Sequence, residues 1–202
     1  MIYQIAFLEV FHKEEFADIR DIAMGNHTQM FNFDADNGYI SLTSENGVEI
    51  SINTNCLTAN GNPVTGDVTL EYVEIFEKGS MLTTNKPTMG KLPNGDKTLI
   101  ITGGEFFVEA TQNGTILDTN CGFQLMIPSD LTGGPDPDMT LWTGEIDADG
   151  NLAWDENEEN ANGDGGLFLE GENYYGIIDG FGWTNVDKFY NDPRPKTTIQ
   201  VQ

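Results

Sequence analysis

Apolar and polar residues alternate along much of this 202-residue chain, and a period of two is the pattern of β-strands. The alternation is clearest on either side of a turn at residues 44–47. The apolar positions that flank this turn are Ile40, Leu42, Val48, Ile50 and Ile52. Residues 38–43 and 48–52 are therefore predicted to form a β-hairpin with one face in the core.

Further strands are predicted at residues 68–75, 98–102, 105–111, 115–117 and 123–127. The short run TLIIT at 98–102 has an apolar centre, so we expect it to be buried on both faces. The pair Gly103-Gly104 should bulge or break the strand that contains it. Asn113-Gly114 stands between two strand patterns and predicts a tight hairpin, because both central positions of a type I′ turn need positive φ.

The remaining segments have weaker patterns. Residues 13–24 predict a short helix that Gly25 ends. The polar segment 77–96, with Pro87 and Pro93, is expected to be a long loop, and residues 180–190 are expected to be irregular. A hairpin of residues 140–146 and 151–154 and strands at 167–169, 174–178 and 197–201 complete the pattern.

These elements predict an all-β fold, an antiparallel β-sandwich of the Greek-key kind with a short N-terminal helix and an aromatic-rich C-terminal extension. Residues 1–30 are expected to be an N-terminal segment and residues 31–131 the sandwich domain. Residues 138–202 are expected to be an aromatic and acidic β region that either completes or follows the sandwich. The Gly- and Pro-rich residues 132–138 separate the last two.

The formal net charge is −24, from nine basic and 33 acidic side chains. A field of this sign repels nucleic-acid phosphates and anionic membrane surfaces, so neither is an expected partner. No apolar run approaches the roughly 18 residues of a membrane-spanning helix, so no membrane span is expected.

Cys56 and Cys121 are the two cysteines, and each follows a Thr-Asn pair. If the chain is exported, they are candidates for a disulfide bond, and the alternative is two buried free thiols. Their spacing does not decide between the two.

One acidic stretch has oxygen-bearing side chains at the spacing of a calcium-binding loop, namely Asp147, Asp149, Asn151, Asp155 and Glu158. Position 6 of such a loop is normally Gly, and here it is Leu152. We therefore favour an ordinary hairpin turn that uses Asp and Gly for backbone reasons, with a calcium loop as the alternative.

The aromatic residues from Trp142 onward could form a sugar-stacking platform, but ordinary core packing is the favoured interpretation. The only histidines are His12 and His27, and both precede the predicted β-domain. The sequence contains neither G-x-S-x-G nor H-E-x-x-H, so it predicts no catalytic, cofactor-binding or metal-binding residues and no cofactor.

Residues 47–128 resemble a recurrent β-sandwich domain of large envelope and secreted proteins, including lipoproteins, of Bacteroidota-type bacteria. The resemblance is carried by the stretches GVEI at 47–50, LTANGNPVTGDV at 57–68, VEI at 73–75, MLTTNKPTMG at 81–90 and GGEFFV at 103–108. The tail GWTNVD at 182–187 is similar to the same proteins. More distantly, the chain resembles the spectrin-binding domain of ankyrins and netrin receptors.

The resemblance implies an exported protein, periplasmic or at the cell surface, without enzyme activity. The first functional hypothesis is therefore a non-enzymatic module for protein interaction, adhesion or assembly, with envelope proteins as partners. The alternative is a carbohydrate-binding or carbohydrate-processing protein that uses the C-terminal aromatic residues, with glycans as partners.

Overall fold

The computed structural model describes residues 13–92, 94–147, 152–157 and 166–190. The helices of this part are α1 (Lys13–Gly25) and α2 (Lys78–Thr83). The strands are, in chain order, β1 (Thr28–Asp34), β2 (Ile40–Thr43), β3 (Glu49–Ile52), β4 (Leu57–Ala59), β5 (Asn62–Pro63), β6 (Asp67–Ile75), β7 (Met89–Lys91), β8 (Lys97–Gln112), β9 (Thr115–Ile116), β10 (Asp118–Thr119), β11 (Phe123–Pro128), β12 (Thr140–Ile146), β13 (Leu152–Glu156), β14 (Gly166–Glu170), β15 (Asn173–Ile178) and β16 (Gly182–Phe189).

The all-β prediction is confirmed, and the strands form three sheets. The largest has eight strands in the order β1-β6-β8-β16-β12-β13-β7, with β9 on β8. A second has five strands in the order β14-β15-β11-β3-β2, and a third has β10-β4-β5. Neighbours are antiparallel except for β13 and β7, which meet in parallel at Trp154 and Gly90.

One hydrophobic core is shared by the two larger sheets. The eight-stranded sheet contributes buried side chains that include Leu70, Tyr72, Phe106 and Val108, and the five-stranded sheet contributes others that include Ile50, Ile52, Phe123 and Leu125. Alternate residues of each strand supply these side chains, as the period-two pattern requires. The hairpin predicted for residues 38–43 and 48–52 is confirmed as β2 and β3.

Part of the large sheet closes on itself. Strand β7 pairs with both β13 and β8, so β8, β16, β12, β13 and β7 form a closed five-stranded barrel, which we call the ring. Its interior holds a second core of Ile100, Trp142, Leu152 and Trp154, with Trp183 and Phe189 packed against it. The indole nitrogens of Trp142 and Trp154 donate to the backbone carbonyls of Asp187 and Pro87.

The ring depends on two glycines that face these large side chains. A Cβ atom at Gly90 would lie 2.8 Å from both Ile100 and the Trp142 ring. A Cβ atom at Gly144 would lie 2.7 Å from the Cβ of Trp183 and 2.8 Å from the Trp154 ring. The absence of a side chain at these two positions therefore makes room for the indoles.

The prediction of a bulge at Gly103-Gly104 is confirmed. Asn185 pairs with Glu105 and Asp187 pairs with Thr102, so two residues of β8 stand opposite one residue of β16. The hairpin at Asn113-Gly114 is confirmed as well, with φ values of 49° and 79° at its two positions.

Three local predictions are wrong. The segment 77–96 is not a continuous loop but contains α2 and β7, elements of six and three residues that are too short for a clear pattern. Residues 98–102 are not buried on both faces, because Leu99 is 54% exposed. Residues 180–190 contain strand β16, whose alternation is obscured because polar side chains occupy its buried positions.

Strands that follow residue 138 enter both large sheets. Strands β12, β13 and β16 belong to the eight-stranded sheet, and β14 and β15 belong to the five-stranded sheet. The division into residues 1–30, 31–131 and 138–202 stays a prediction. The strand expected at residues 197–201 lies outside the described residues.

Cys56 and Cys121 form a disulfide bond, with their Cα atoms 5.8 Å apart. Strands β4 and β10 lie between the two cysteines in the sequence, and they pair with each other next to the bond. Of the two alternatives that the sequence left open, the disulfide is the one found in the structure.

Among the described residues, neither α1 nor α2 combines the length and the apolar character that crossing a bilayer requires.

We expect Gly90→Ala to destabilise the protein by about 1–3 kcal/mol, because the added methyl group overpacks the ring against Ile100 and Trp142. The matched control is Gly79→Ala in α2, where an added Cβ meets no atom within 4 Å. The control should be neutral or stabilising by up to about 1 kcal/mol, since Ala favours helix. Urea unfolding measures both, and equal effects of the two substitutions would contradict the packing of the ring.

We expect the double substitution of Cys56 and Cys121 by Ser to cost about 4 kcal/mol, because the bond closes a loop with a sequence separation of 65. Reductant should lower the unfolding midpoint of the wild type and leave that of the double variant unchanged. Intact mass after alkylation provides the direct check on oxidised protein. If both thiols react without reductant, the bond does not form in solution.

Candidate functional site

The adjacent strands β8 and β16 bring three polar side chains together inside the protein. Glu105, Asn185 and Asp187 have no exposed surface. Asn185 is the cross-strand partner of Glu105 on one side and of Trp142 on the other. The side chains of Glu105, Asn185 and Trp142 therefore form one row on a common face of the sheet. We call Glu105, Asn185 and Asp187 the buried acidic centre, and it lies beside the tryptophans of the ring.

The hydrogen bonds of this centre are incomplete. The Asn185 amide donates to Asp187 Oδ2 at 2.7 Å, and the Thr102 hydroxyl donates to Asn185 Oδ1 at 3.3 Å. Within the part of the chain that the structure describes, Glu105 Oε1 and Oε2 and Asp187 Oδ1 have no hydrogen-bond partner. Ionised carboxylates in this setting would carry a large desolvation cost.

Burial raises the pKa values of both Glu105 and Asp187. Burial, followed by the proximity of Asp187, raises the pKa of Glu105 to about 9, and Lys86 acts in the opposite direction. Burial also raises the pKa of Asp187 well above its ordinary value, and the hydrogen bond from Asn185 opposes this. Glu105 is therefore uncharged at neutral pH.

Lys86 closes one side of the centre. Its Nζ atom lies 4.9 Å from the centroid of the Trp183 ring, a cation–π geometry. Burial lowers the pKa of Lys86, whereas the nearby Glu105 raises it. The ring of Trp183 also packs on Phe107, with 5.2 Å between centroids, and on Trp154, with 6.5 Å.

A second buried acid, Glu74, is fully hydrogen-bonded and has a structural role. Its carboxylate accepts hydrogen bonds from the side chains of Ser44, Gln29, Tyr72 and Asn46 and from the Asn46 backbone N–H. Ser44 and Asn46 lie in the turn between β2 and β3, so Glu74 ties the five-stranded sheet to β6. Burial, together with the neighbouring Glu74, raises the pKa of Tyr72.

An open groove lies on the outside of the centre, where β15 leads into β16. It is lined by Thr143, Gly144, Asn157 and residues 178–183, and we call it the groove. Phe181 and Trp183, which are both partly exposed, are among the residues that line it. Thr143 Oγ1 donates to Asn157 Oδ1 at 2.7 Å, so the polar side of the groove is held in place by a hydrogen bond between β12 and the end of β13.

The groove combines aromatic residues with a hydroxyl, an amide and a carboxylate. Phe181 packs on Phe123 of the shared core at 5.5 Å between ring centroids, which fixes its position. The hydroxyl of Thr143, the amide of Asn157 and the carboxylate of Asp179 stand around the rings. A surface of this kind stacks on a flat apolar face and donates and accepts hydrogen bonds at its rim.

The structure sorts the aromatic residues that the sequence singled out. Trp142 and Trp154 have no exposed surface, so the interpretation as core is right for them. Trp183 and Phe181 are partly exposed and line the groove.

The five residues of the calcium-loop hypothesis are not all described. The strands β12 and β13 of the favoured hairpin are present. Lys91 Nζ forms salt bridges with both Asp155 and Glu145, each at 2.7 Å. Asp147 has a partner as well. Asp149, Asn151 and Glu158 lie outside the described residues, as does His12.

Sequence reasoning missed the buried acidic centre. The signal that was available is a charged residue at an inward position of an apolar strand, as in GGEFFV at 103–108 and WTNVD at 183–187. The abundance of acids hid this signal, because most of the other acidic residues that the structure describes are not buried.

A scan against protein-family models, a search of curated proteins and a search of solved structures found no match for this chain. The resemblance of residues 47–128 to bacterial envelope proteins therefore stays a prediction.

We expect the free energy of unfolding to fall as pH rises from about 4.5 to 9, because folded Glu105 keeps a proton that the unfolded chain releases. Between pH 5 and pH 8 this one group should account for a loss on the order of 4 kcal/mol. Glu105→Gln should remove this component, so the variant gains stability over the wild type as pH rises.

The control is Glu49→Gln, at an exposed position of β3. It should leave the pH dependence of the wild type in place, including the contribution of overall charge repulsion. Urea unfolding at several pH values compares the three proteins. Parallel curves for wild type and Glu105→Gln would contradict a proton held on Glu105.

Proposed function

We propose that this chain is a non-enzymatic binding module of the bacterial envelope or cell surface, and that its groove binds a neutral carbohydrate. The observation that carries the proposal is that two partly exposed aromatic residues, Phe181 and Trp183, line one groove together with Thr143, Asn157 and Asp179. Pyranose rings have an apolar face that stacks on aromatic rings and hydroxyl groups that bond to such a rim.

The overall architecture supports a binding module. Two sheets that pack around one core are the layers of a β-sandwich, and we propose that fold for the chain. The disulfide between Cys56 and Cys121 is consistent with an exported protein. The resemblance of residues 47–128 to envelope and secreted proteins supports the same location.

The charge of the chain narrows the ligand class. With a net charge of −24, the protein repels nucleic acids and other polyanions. Among the described residues, those that line the groove include the exposed Asp179 and no basic residue, so acidic sugars are disfavoured as well. A neutral oligosaccharide is the ligand class that fits both the negative charge of the protein and the polar groups of the groove.

The second candidate is a module for protein interaction or assembly. It is favoured by the exposed apolar strand β14, in which Phe168 is 54% exposed at the edge of the five-stranded sheet. This surface and the groove involve different residues, so one function does not exclude the other.

The test is a screen of neutral oligosaccharides on a glycan array, followed by calorimetry on any ligand found. Trp183→Ala should abolish detectable binding, because the stacking surface is lost. Asn157→Ala should weaken binding by roughly threefold to tenfold, the equivalent of one hydrogen bond. Trp142→Ala is not informative, since Trp142 is fully buried and its loss removes core packing.

The matched control is Asn62→Ala, at an exposed position of β5 away from the groove. It should leave affinity unchanged. Thermal unfolding of Trp183→Ala shows whether the variant is folded, since Trp183 also packs on Phe107. An array with no neutral glycan bound, or equal affinities of Asn157→Ala and wild type, would contradict the proposal.

A further inference from the structure

Strand β14 forms one edge of the five-stranded sheet. It pairs with β15 over its whole length, from Gly166 opposite Ile177 to Glu170 opposite Asn173. On its other side it has no strand partner among the described residues. Since backbone groups of a strand point alternately to its two sides, about half of the N–H and C=O groups of β14 face away from β15.

This edge lacks several of the features that normally prevent strand addition. Its sequence, GLFLE, contains neither Lys nor Pro, and its pairing with β15 runs without a bulge. Phe168 is 54% and Leu169 is 36% exposed. The short edge strand β5, by contrast, ends in Pro63, and β2 at the opposite edge presents Ser41 and Thr43.

The outer face beside this edge is apolar too. Phe168 stands opposite Tyr175, and Tyr175 stands opposite Met126, so the three form a row across β14, β15 and β11. All three are at least partly exposed. The next position of the row is the exposed Glu49 of β3. The row therefore offers an aromatic and aliphatic stripe that ends in a carboxylate.

Charge decides which partner fits this edge. Glu170 and Glu172 are exposed at the end of β14, and the chain as a whole has a net charge of −24. A second copy of the chain would bring the same charge to the contact and be repelled. An extended segment with basic and apolar residues would be attracted by the acids and would cover the apolar stripe.

We propose that the outer edge of β14 binds a cationic, extended segment of another protein as a sixth strand of the five-stranded sheet. Main-chain hydrogen bonds to β14 provide the affinity, as in other cases of strand addition. In an alternating segment the basic side chains share the outer face with Phe168, Glu170 and Glu172, where their methylene chains cover Phe168. The apolar side chains lie on the opposite face, beside the partly exposed Leu169. This site goes beyond the proposed carbohydrate groove and does not depend on it.

The probe is a synthetic peptide of four Lys-Val repeats with acetylated and amidated ends, labelled for fluorescence anisotropy. We expect it to bind the wild type and to bind Phe168→Lys at least tenfold more weakly. The matched control is Met30→Lys, because Met30 is 56% exposed on the other sheet's edge strand β1 and gains the same charge. Its affinity should stay within about twofold of the wild type.

Two further peptides separate strand addition from charge attraction. A version with Pro in place of the central Val residues keeps the charge but cannot form the strand ladder, and it should bind at least tenfold more weakly. A peptide of Glu-Val repeats should not bind. Equal binding of the Pro-containing peptide, or equal loss in Phe168→Lys and Met30→Lys, would overturn the proposal.

Hydrogen exchange provides a readout that does not rely on a variant. Amides of residues 166–170 should exchange more slowly when the Lys-Val peptide is added, and those of β1 should not change. If half of these amides exchange rapidly in the free protein, the edge is open as proposed. If all of them are protected without peptide, the chain itself covers the edge and the proposal fails.

Discussion

The bulge at Gly103-Gly104 is the constraint on which the rest of the structure depends, because it allows β8 to belong both to the closed ring and to the open part of the large sheet. Strand β8 has sixteen residues, and it pairs with β6, β7, β9 and β16. On one side of the bulge it belongs to the closed ring, and on the other it forms the middle of the open sheet. A Cβ atom at Gly103 would lie 2.9 Å from the Val186 carbonyl oxygen, so the close approach of β8 and β16 requires glycine there.

The bulge also sets the position of the buried acidic centre. Glu105 follows it directly on β8, and Asn185 and Asp187 flank its counterpart on β16. Asn185 lies opposite Trp142 of the ring, and the packing of the indoles in the ring in turn requires Gly90 and Gly144. The result is a carboxyl group that is kept protonated by its surroundings, next to a surface tryptophan. Glu74 shows the alternative solution, a buried acid whose oxygens all accept hydrogen bonds.

The groove and the outer edge of β14 are two surfaces of different chemistry. The groove is lined in part by Trp183, whose indole packs on Phe107 and Trp154. These contacts set the orientation of the indole. The edge of β14 presents main-chain groups and the side chain of Phe168. The charge of the chain acts on both surfaces, since it disfavours anionic ligands at either one.

The sequence by itself determined the all-β class and most of the strands, because alternation and turn residues such as Asn113-Gly114 are local signals. It also determined the sign of the protein's net charge, from which weak affinity for polyanions is predicted. It did not reveal β16, since Thr184, Asn185 and Asp187 occupy buried positions of that strand and hide its period. The closure of the ring, the bond between Cys56 and Cys121, and the meeting of Glu105 with Asp187 were decided only by the tertiary structure. Each of them joins residues that are distant in the chain, and no local pattern records which distant strand will become a neighbour.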